Sequence, residues 1–92
     1  MKYSRSDHFK RAYQLLPNEI KRNLRKSLLL LQDNPKHPDF LIAKVNGYPG
    51  VWEGTVDQDY RFTFHFENDE TDHDTICVLR FVDSQEACMK HE

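Results

Sequence analysis

Apolar side chains in the first third of the chain recur at the three-to-four-residue spacing of an α-helix. In a first segment these positions are Phe9, Ala12, Tyr13 and Leu16, and in a second they are Ile20, Leu24, Leu28 and Leu31. We predict that Asp7 caps the first helix and that Pro17 separates the two. The second helix then runs to about Gln32 and stops at Asn34 and Pro35. This part of the sequence therefore predicts a helical hairpin.

A strict two-residue alternation starts at residue 60 and predicts a β-strand with one aromatic and one polar face. The rings are Tyr60, Phe62, Phe64 and Phe66, and the alternate positions hold Arg61, Thr63 and His65. We predict two further strands at residues 51–56 and 75–82, with a candidate edge strand at residues 2–4. Residues 75–82 are apolar on both faces, which is typical of a central strand.

These elements predict an α+β fold, in which the two-helix hairpin packs on one face of a small antiparallel sheet of three to four strands. By the alternation, Arg61 lies on the other face, which remains open. Ninety-two residues suffice for one domain with one core, so we assign residues 1–92 to a single domain.

The composition excludes several classes of protein. With 38% hydrophobic residues, 3 Gly and 4 Pro, the chain is globular rather than disordered or collagen-like. The longest apolar run is the four leucines at residues 28–31, far below the roughly 18 residues of a membrane span. No export signal precedes residue 6, so we expect a cytoplasmic protein whose Cys77 and Cys88 stay reduced. No phosphate-binding glycine motif or serine nucleophile elbow occurs.

Charge is distributed unevenly along the chain, although the formal net charge is only -2. Residues 1–26 hold eight Lys and Arg against two acids, whereas residues 67–92 hold eight acids against two basic residues. Such asymmetry indicates an anionic partner for the first part of the chain. On the second helix, Lys21 with Arg25 and Arg22 with Lys26 form like-charge pairs one turn apart, which an anionic neighbour would relieve.

Two motifs in the second half of the chain resemble a known family. They are LIAKVNGYPGVWE at residues 41–53 and DYRFTF at residues 59–64. Together they resemble the RelE/ParE superfamily of bacterial toxins, most closely its RelE- and YafQ-like mRNA interferases. The resemblance covers about residues 3–85.

The resemblance implies a toxin of a type II toxin–antitoxin system, which docks in the ribosomal acceptor site and cleaves messenger RNA through attack by a ribose 2′-hydroxyl. A cognate antitoxin protein, the ribosome and mRNA are then its partners, and it acts as a monomer or within a toxin–antitoxin hetero-oligomer. The reaction requires a cation, a base and an acid, without metal or cofactor. Arg61 matches the Tyr-Arg position of the family and would supply the cation.

The chain departs from the family at three positions. Ser84 falls where similar members have a histidine, and serine cannot replace imidazole as an acid or base near neutral pH. Glu53 and Thr55 stand where many members have Arg or Lys, which thins the positive surface. Two alternatives therefore stay open, a RelE-fold binding module without nuclease activity and a ParE-like gyrase inhibitor.

Other residues are candidates to assist Arg61. His65 shares its face about 13 Å along the strand, Asp39 lies where one branch of the family has an acidic base, and Lys44 matches a basic position of the family. Each also has a structural interpretation, as an edge histidine, a turn carboxylate or a solvated lysine. Arg80 is a further RNA-binding candidate whose direction the pattern leaves open.

The basic residues of the second helix have three interpretations. Ribosomal RNA or an acidic antitoxin would contact Lys21, Arg22, Arg25 and Lys26, or these residues form an ordinary solvated face. Among the aromatic residues Phe40, Tyr48 and Trp52, some are candidates for base stacking, and at least two are expected in the core. His73, Cys88 and His91 lack the paired spacing of a zinc site, so we predict no metal.

Overall fold

The structure is a computed structural model that describes residues 1–33 and 42–84. Its elements are β1 (Lys2–Arg5), α1 (Asp7–Gln14), α2 (Asn18–Asp33), β2 (Ile42–Lys44), β3 (Trp52–Thr55), β4 (Tyr60–Asn68) and β5 (Thr75–Ser84). The predicted helix stop at Asn34 and Pro35 lies outside the described residues, as do Asp39, Phe40, Cys88 and His91. Neither α1 nor α2, the helices of the described part, reaches the length and apolarity needed to span a bilayer.

The strands form one five-stranded sheet in the order β1-β5-β4-β3-β2. The α+β prediction is confirmed, but the sheet has more strands than expected and is mixed, because β1 pairs with β5 in parallel. The candidate strand at residues 2–4 is real and forms one edge. The other edge is β2, whose three residues are too few to show a periodic pattern.

The N-cap of helix α1 lies one residue earlier than the sequence suggested. Ser6, not Asp7, is the N-cap, and its Oγ accepts a hydrogen bond of 3.0 Å from the backbone N–H of Phe9. The same hydroxyl donates to the carbonyl of Arg80 at 2.9 Å, which ties the helix start to β5. Asp7 is the first helical residue and acts only through its charge near the helix N-terminus.

We expect Ser6→Ala to lower the free energy of unfolding by about 1 kcal/mol, because it removes both the cap and the link to β5. The matched change Asp7→Ala should cost less, since Asp7 makes no cap bond. Urea denaturation of the two variants checks this order, and a larger loss for Asp7→Ala would contradict the assignment of the cap.

The core lies between the two helices and one face of the sheet. Phe9, Leu24 and Leu31 of the helices pack in one cluster with Phe62 and Phe64 of β4. The cluster continues into β5 through Cys77, Leu79 and Val82. Burial raises the pKa of the free Cys77 thiol to about 12, so this thiol is un-ionised at neutral pH.

A β-bulge in β5 interrupts its pairing with β4. Thr63 is paired with Phe81 but Phe64 with Leu79, so Arg80 is an extra residue on β5. Thr63, which was expected on an open face, is fully buried. At the far end of the strand Phe66 is 43% exposed, because it lies beyond the core cluster that the helices cover. On the polar face of β4, Thr63 is therefore buried rather than exposed, and on the aromatic face Phe66 is partly exposed rather than buried.

Ion pairs hold the amino terminus against the acidic loop between β4 and β5. Lys2 binds the carboxylates of Asp69, at 3.0 Å, and Asp72, and the terminal amine lies 3.3 Å from Asp74. The pKa of Asp69 is lowered, first by a hydrogen bond from the backbone of Thr71 and then by Lys2. The pKa of Asp72 is lowered first by Lys2, and the pKa of Lys2 is raised in turn.

Because these carboxyl pKa values are lower in the folded state, they stabilise the fold above the ordinary carboxyl pKa, and this stabilisation is lost as the pH falls through the lowered values. We expect Lys2→Gln to flatten the fall in melting temperature between about pH 5 and pH 2. Lys10→Gln is the control, since Lys10 is exposed and 4.0 Å from its nearest acid, Asp7. Melting curves across this range test the effect, and parallel profiles for wild type and Lys2→Gln would refute it.

Candidate functional site

Arg61 lies near the start of β4, opposite Thr55 of β3 and Asp83 of β5. Its Nη1 donates to the carbonyl oxygens of Tyr60, at 2.9 Å, and of Asp57. The Nε atom is 3.8 Å from Oε1 of Glu53, and the side chain is only 18% exposed. The guanidinium is thus held in one place by backbone carbonyls and a carboxylate, rather than standing free in solvent as the alternation suggested.

The turn between β3 and β4 supplies these carbonyls. Asp57 Oδ1 accepts hydrogen bonds from the backbone N–H groups of Asp59, at 2.8 Å, and Tyr60, at 3.0 Å. An aspartate that bonds its own following backbone fixes a tight turn. The turn therefore presents its carbonyl groups to Arg61 in a defined geometry.

Glu53 is the contact that the sequence analysis missed. It was interpreted only as a loss of positive charge, but in the β3–β4 register it faces Thr63 and is the diagonal neighbour of Arg61. The signal was present, since a tight hairpin that pairs Thr55 with Arg61 places residue 53 on the same face. Arg61 and Glu53 form one charge pair at the centre of the candidate site.

His65 and Arg80 form a second group on the Arg61 face of the sheet. Nη1 of Arg80 lies 3.0 Å from His65 Nδ1, and His65 Nε2 lies 2.8 Å from Glu67 Oε2. Because a guanidinium only donates, Nδ1 accepts and Nε2 carries the proton that it donates to Glu67. The side chain of Arg80 therefore points toward His65. The sequence pattern alone did not determine this direction. His65 stands about 13 Å along the strand from Arg61.

Lys44 does not join Arg61. It pairs in register with Trp52, which pairs with Phe64 of the core face, and its Nζ lies 5.7 Å from the centroid of the Trp52 ring. Trp52 is half-buried against the core, while Tyr48 is 48% exposed. Asp39 lies outside the described residues.

The basic residues of α2 belong to a helix that packs on the face of the sheet opposite Arg61. Leu24 and Leu31 of α2 pack against the Phe62 and Phe64 face of the sheet, and Arg61 occupies the opposite face. The four predicted RNA-binding residues of this helix are Lys21, Arg22, Arg25 and Lys26. Ser27 of the same helix donates to the carbonyl of Thr55, the β3 partner of Arg61, at 2.8 Å.

Ser84, at the position that matches the family histidine, pairs with Tyr60 at the end of β5, whereas Arg61 pairs with Asp83. The alternation therefore places Ser84 on the face of the sheet opposite Arg61. A hydroxyl there offers a hydrogen bond but no group that titrates near neutral pH. Within residues 1–33 and 42–84, no three His, Cys, Asp or Glu side chains come together in a group able to hold a metal ion. What the site combines is the fixed guanidinium of Arg61 and the carboxylate of Glu53.

The fold is similar to that of several solved toxin structures. The chain is similar to the RelB-RelE antitoxin–toxin complex of Methanococcus jannaschii, with a TM-score of 0.69, 13% identity and 96% of both chains covered. It is similar to the YoeB/ParE toxin of Agrobacterium tumefaciens, with a TM-score of 0.70, 11% identity and coverage of 92% of this chain and 99% of that one. It is also similar to the DinJ-YafQ toxin–antitoxin complex of E. coli, with a TM-score of 0.66, 14% identity and coverage of 94% of this chain and 93% of that one.

No protein-family model matches the sequence, and no curated protein matches it either. The similarity is therefore structural, and it extends over nearly the whole chain. The chain has a RelE/ParE-like toxin fold.

Proposed function

We propose that this chain, which has the RelE/ParE-like toxin fold, is the toxin of a type II toxin–antitoxin pair and cleaves messenger RNA on the ribosome. The observation that carries the proposal is the fixed position of Arg61. Its guanidinium matches the Tyr-Arg position of the family and is held by two carbonyl groups and Glu53. A cation that is already oriented stabilises developing phosphate charge without reorganisation.

In the proposed reaction, the ribose 2′-oxygen attacks the neighbouring phosphate and the bond to the 5′-oxygen breaks. Arg61 stabilises the charge on the phosphate, and Glu53 keeps the guanidinium in place. Asp39 and His65 are the proposed assistants in proton transfer, whereas Lys44 lies with Trp52 on the other face of the sheet from Arg61. Of these, His65 shares the face of Arg61 together with Arg80, our candidate for an RNA-phosphate contact on this face.

We further propose an antitoxin as the protein partner. Two of the similar structures contain their toxin together with an antitoxin, RelB in one and DinJ in the other. The ribosome and mRNA are the partners that the proposed reaction requires.

One observation favours a second candidate function, a RelE-fold binding module without nuclease activity. Ser84 stands at the position where similar family members have an acid–base histidine, one residue beyond Asp83, the β5 partner of Arg61. A chain without that group retains the fold and the partner surface but has lost one of the two proton-transfer groups.

Incubation of the purified chain with programmed ribosomes and a reporter message separates these functions. We expect strand breaks within the message, mapped by primer extension, that depend on the ribosome. A folded chain that yields no breaks and does not slow translation would overturn the proposal. Inhibition of translation without breaks would support the binding module, and poisoning of gyrase in a supercoiling assay would indicate the ParE-like activity.

A further inference from the structure

The contact between His65 and Arg80 joins an arginine to a histidine, a residue that itself becomes a cation when it takes up a proton. Nη1 of Arg80 lies 3.0 Å from His65 Nδ1, and His65 Nε2 donates to Glu67 Oε2 at 2.8 Å. An arginine side chain stays charged and only donates hydrogen bonds. The imidazole is therefore neutral in this arrangement, and Nδ1 is the atom at which it would take up a proton.

Hydrogen bonds hold the backbone at Arg80, which is the extra residue of the bulge in β5. Its carbonyl accepts from Ser6 Oγ at 2.9 Å, and the carbonyl of Leu79 accepts from the backbone N–H of Ser6 at 3.0 Å. The side chain of His65 is 24% exposed, and Arg80 is also only partly buried. A small anion can therefore reach the contact between the two side chains, and Arg80 can leave His65 without a change in the sheet.

A proton on Nδ1 and the contact with Arg80 exclude each other. After protonation both ring nitrogens of His65 are donors, so a donor on the ring would face a donor of the guanidinium. Both groups would also carry a positive charge, and like charges at the observed separation of 3.0 Å repel each other. Protonation of His65 therefore releases Arg80 unless a negative group comes between them.

Charged groups approach His65 from its own strand and from both neighbouring strands. Glu67 of β4 contacts Nε2, and its carboxylate stabilises the imidazolium as well as the neutral ring. Glu53 of β3 stands opposite the residue two positions before His65 and lies 3.8 Å from Nε of Arg61. Arg80 of β5 is thus the charged group that opposes protonation of His65.

We propose that His65 and Arg80 form a binding site for a phosphate group, and that binding is coupled to the uptake of one proton by His65. The phosphate oxygens accept hydrogen bonds from the guanidinium and from Nδ1–H, so the anion lies between two groups that otherwise repel each other. The proton comes from solvent, and no covalent bond of the phosphate forms or breaks. Acidification therefore strengthens binding, and binding in turn favours the protonated ring.

The arrangement favours a phosphate over a carboxylate. The planar fork of Arg80 fits two oxygens, and a phosphate has further oxygens for Nδ1–H of His65, whereas a carboxylate has none left. Arg61 lies on the same face, about 13 Å along the strand from His65. Two cationic groups along one face suit an anion that repeats along a chain, as phosphate does in RNA.

The site rests on the proposed function only where RNA is named as the source of the phosphate. Its binding is measured without ribosomes or message, so its readout is separate from cleavage. Binding coupled to a proton in a chain that cleaves no message would overturn the proposed function alone. Cleavage by a chain without such binding would overturn the site alone.

Calorimetric titration of the full chain with sodium sulfate tests the coupling, because sulfate resembles phosphate and stays fully ionised where histidine changes its charge. We expect wild type to bind sulfate at least about tenfold more tightly at about pH 5.5 than at about pH 7.5, since uptake of one proton allows up to about tenfold per pH unit. His65→Asn keeps an oxygen that accepts from Arg80 but does not titrate. Its affinity should change by less than about twofold, through screened charge elsewhere.

His73→Asn is the matched control, because His73 is an exposed histidine in the β4–β5 loop, with a positive φ of 59° that asparagine tolerates. It should keep the pH dependence of wild type. Arg80→Gln should lose the affinity for sulfate at both pH values, and Arg80→Lys, which keeps a charge, should retain part of it. Thermal melts confirm that each variant is folded.

The same titration with a uridine trinucleotide distinguishes the two sources of the phosphate. Tighter binding than that of sulfate, with the same dependence on pH, supports a nucleic-acid phosphate at the site, and equal or weaker binding supports a free anion. Absence of binding by both probes would overturn the site. So would an equal pH dependence in wild type and His65→Asn, or wild-type affinity in the folded Arg80→Gln chain.

Discussion

Replacing Arg61 with glutamine or lysine is expected to lower the rate of the proposed ribosome-dependent message cleavage by about 100- to 1,000-fold. Glutamine removes the charge, and lysine keeps a charge but loses the planar fork that fits two phosphate oxygens. Lysine also cannot reproduce the contacts of the guanidinium with the Asp57 and Tyr60 carbonyl groups and with Glu53. Initial rates of strand breakage at saturating ribosome concentration measure the effect.

A loss of stability would produce the same loss of activity, so the experiment needs a variant that separates the two. Arg61→Gln leaves the largely buried Glu53 carboxylate without its cation, which should cost about 1–3 kcal/mol. In the double variant Glu53→Gln/Arg61→Gln that unpaired charge is removed. We expect the double variant to recover part of the stability and none of the activity.

Lys10→Gln is the control for a general change in charge, because Lys10 is exposed on α1. Cleavage at the wild-type rate by a folded Arg61→Gln chain would exclude Arg61 from the reaction. Recovery of activity in the double variant would show that Arg61 acts only through stability.

The sequence placed Arg61 correctly on β4 but did not reveal what surrounds it. Side-chain alternation reports which face a residue occupies, whereas the groups that hold Arg61 are backbone carbonyls of a turn and a glutamate on another strand. A hydropathy pattern describes side chains and contains no information about which backbone carbonyl groups accept hydrogen bonds. The register that brings Glu53 next to Arg61 follows only when the length of the β3–β4 turn is known.

The helices were easier to predict than the sheet. In α1 and α2 one apolar stripe faces one core, so the spacing of Phe9, Leu24 and Leu31 predicts both the elements and their burial. The β-bulge at Arg80 shifts the phase of a strand that is apolar on both faces, and such a strand carries no alternation from which a shift can be detected. Thr63 lies on the central strand between its register partners Glu53 and Phe81, and the sequence pattern of β4 alone does not reveal these neighbours.

Phe64→Ala is expected to be among the most destabilising single changes in the chain, at about 3–5 kcal/mol. Phe64 is fully buried on a central strand, with its ring centroid 5.4 Å from that of Phe62 and 5.6 Å from that of Phe66. Its loss leaves a cavity between the helices and the sheet. For a domain that is stable by only about 5–15 kcal/mol, a loss of this size consumes a large part of the total. Urea denaturation, followed by circular dichroism, measures the change.

Phe66→Ala is the matched control, because it removes the same side chain from the same strand and from the same face that the alternation predicted. Phe66 is 43% exposed and lies outside the core cluster, so we expect a cost of about 1 kcal/mol. An unchanged dependence of the unfolding free energy on urea would show that both variants unfold from the same folded state. Equal costs for the two changes would mean that the helices cover the whole aromatic face, as the alternation alone implied, and that the boundary of the core between Phe64 and Phe66 is wrong.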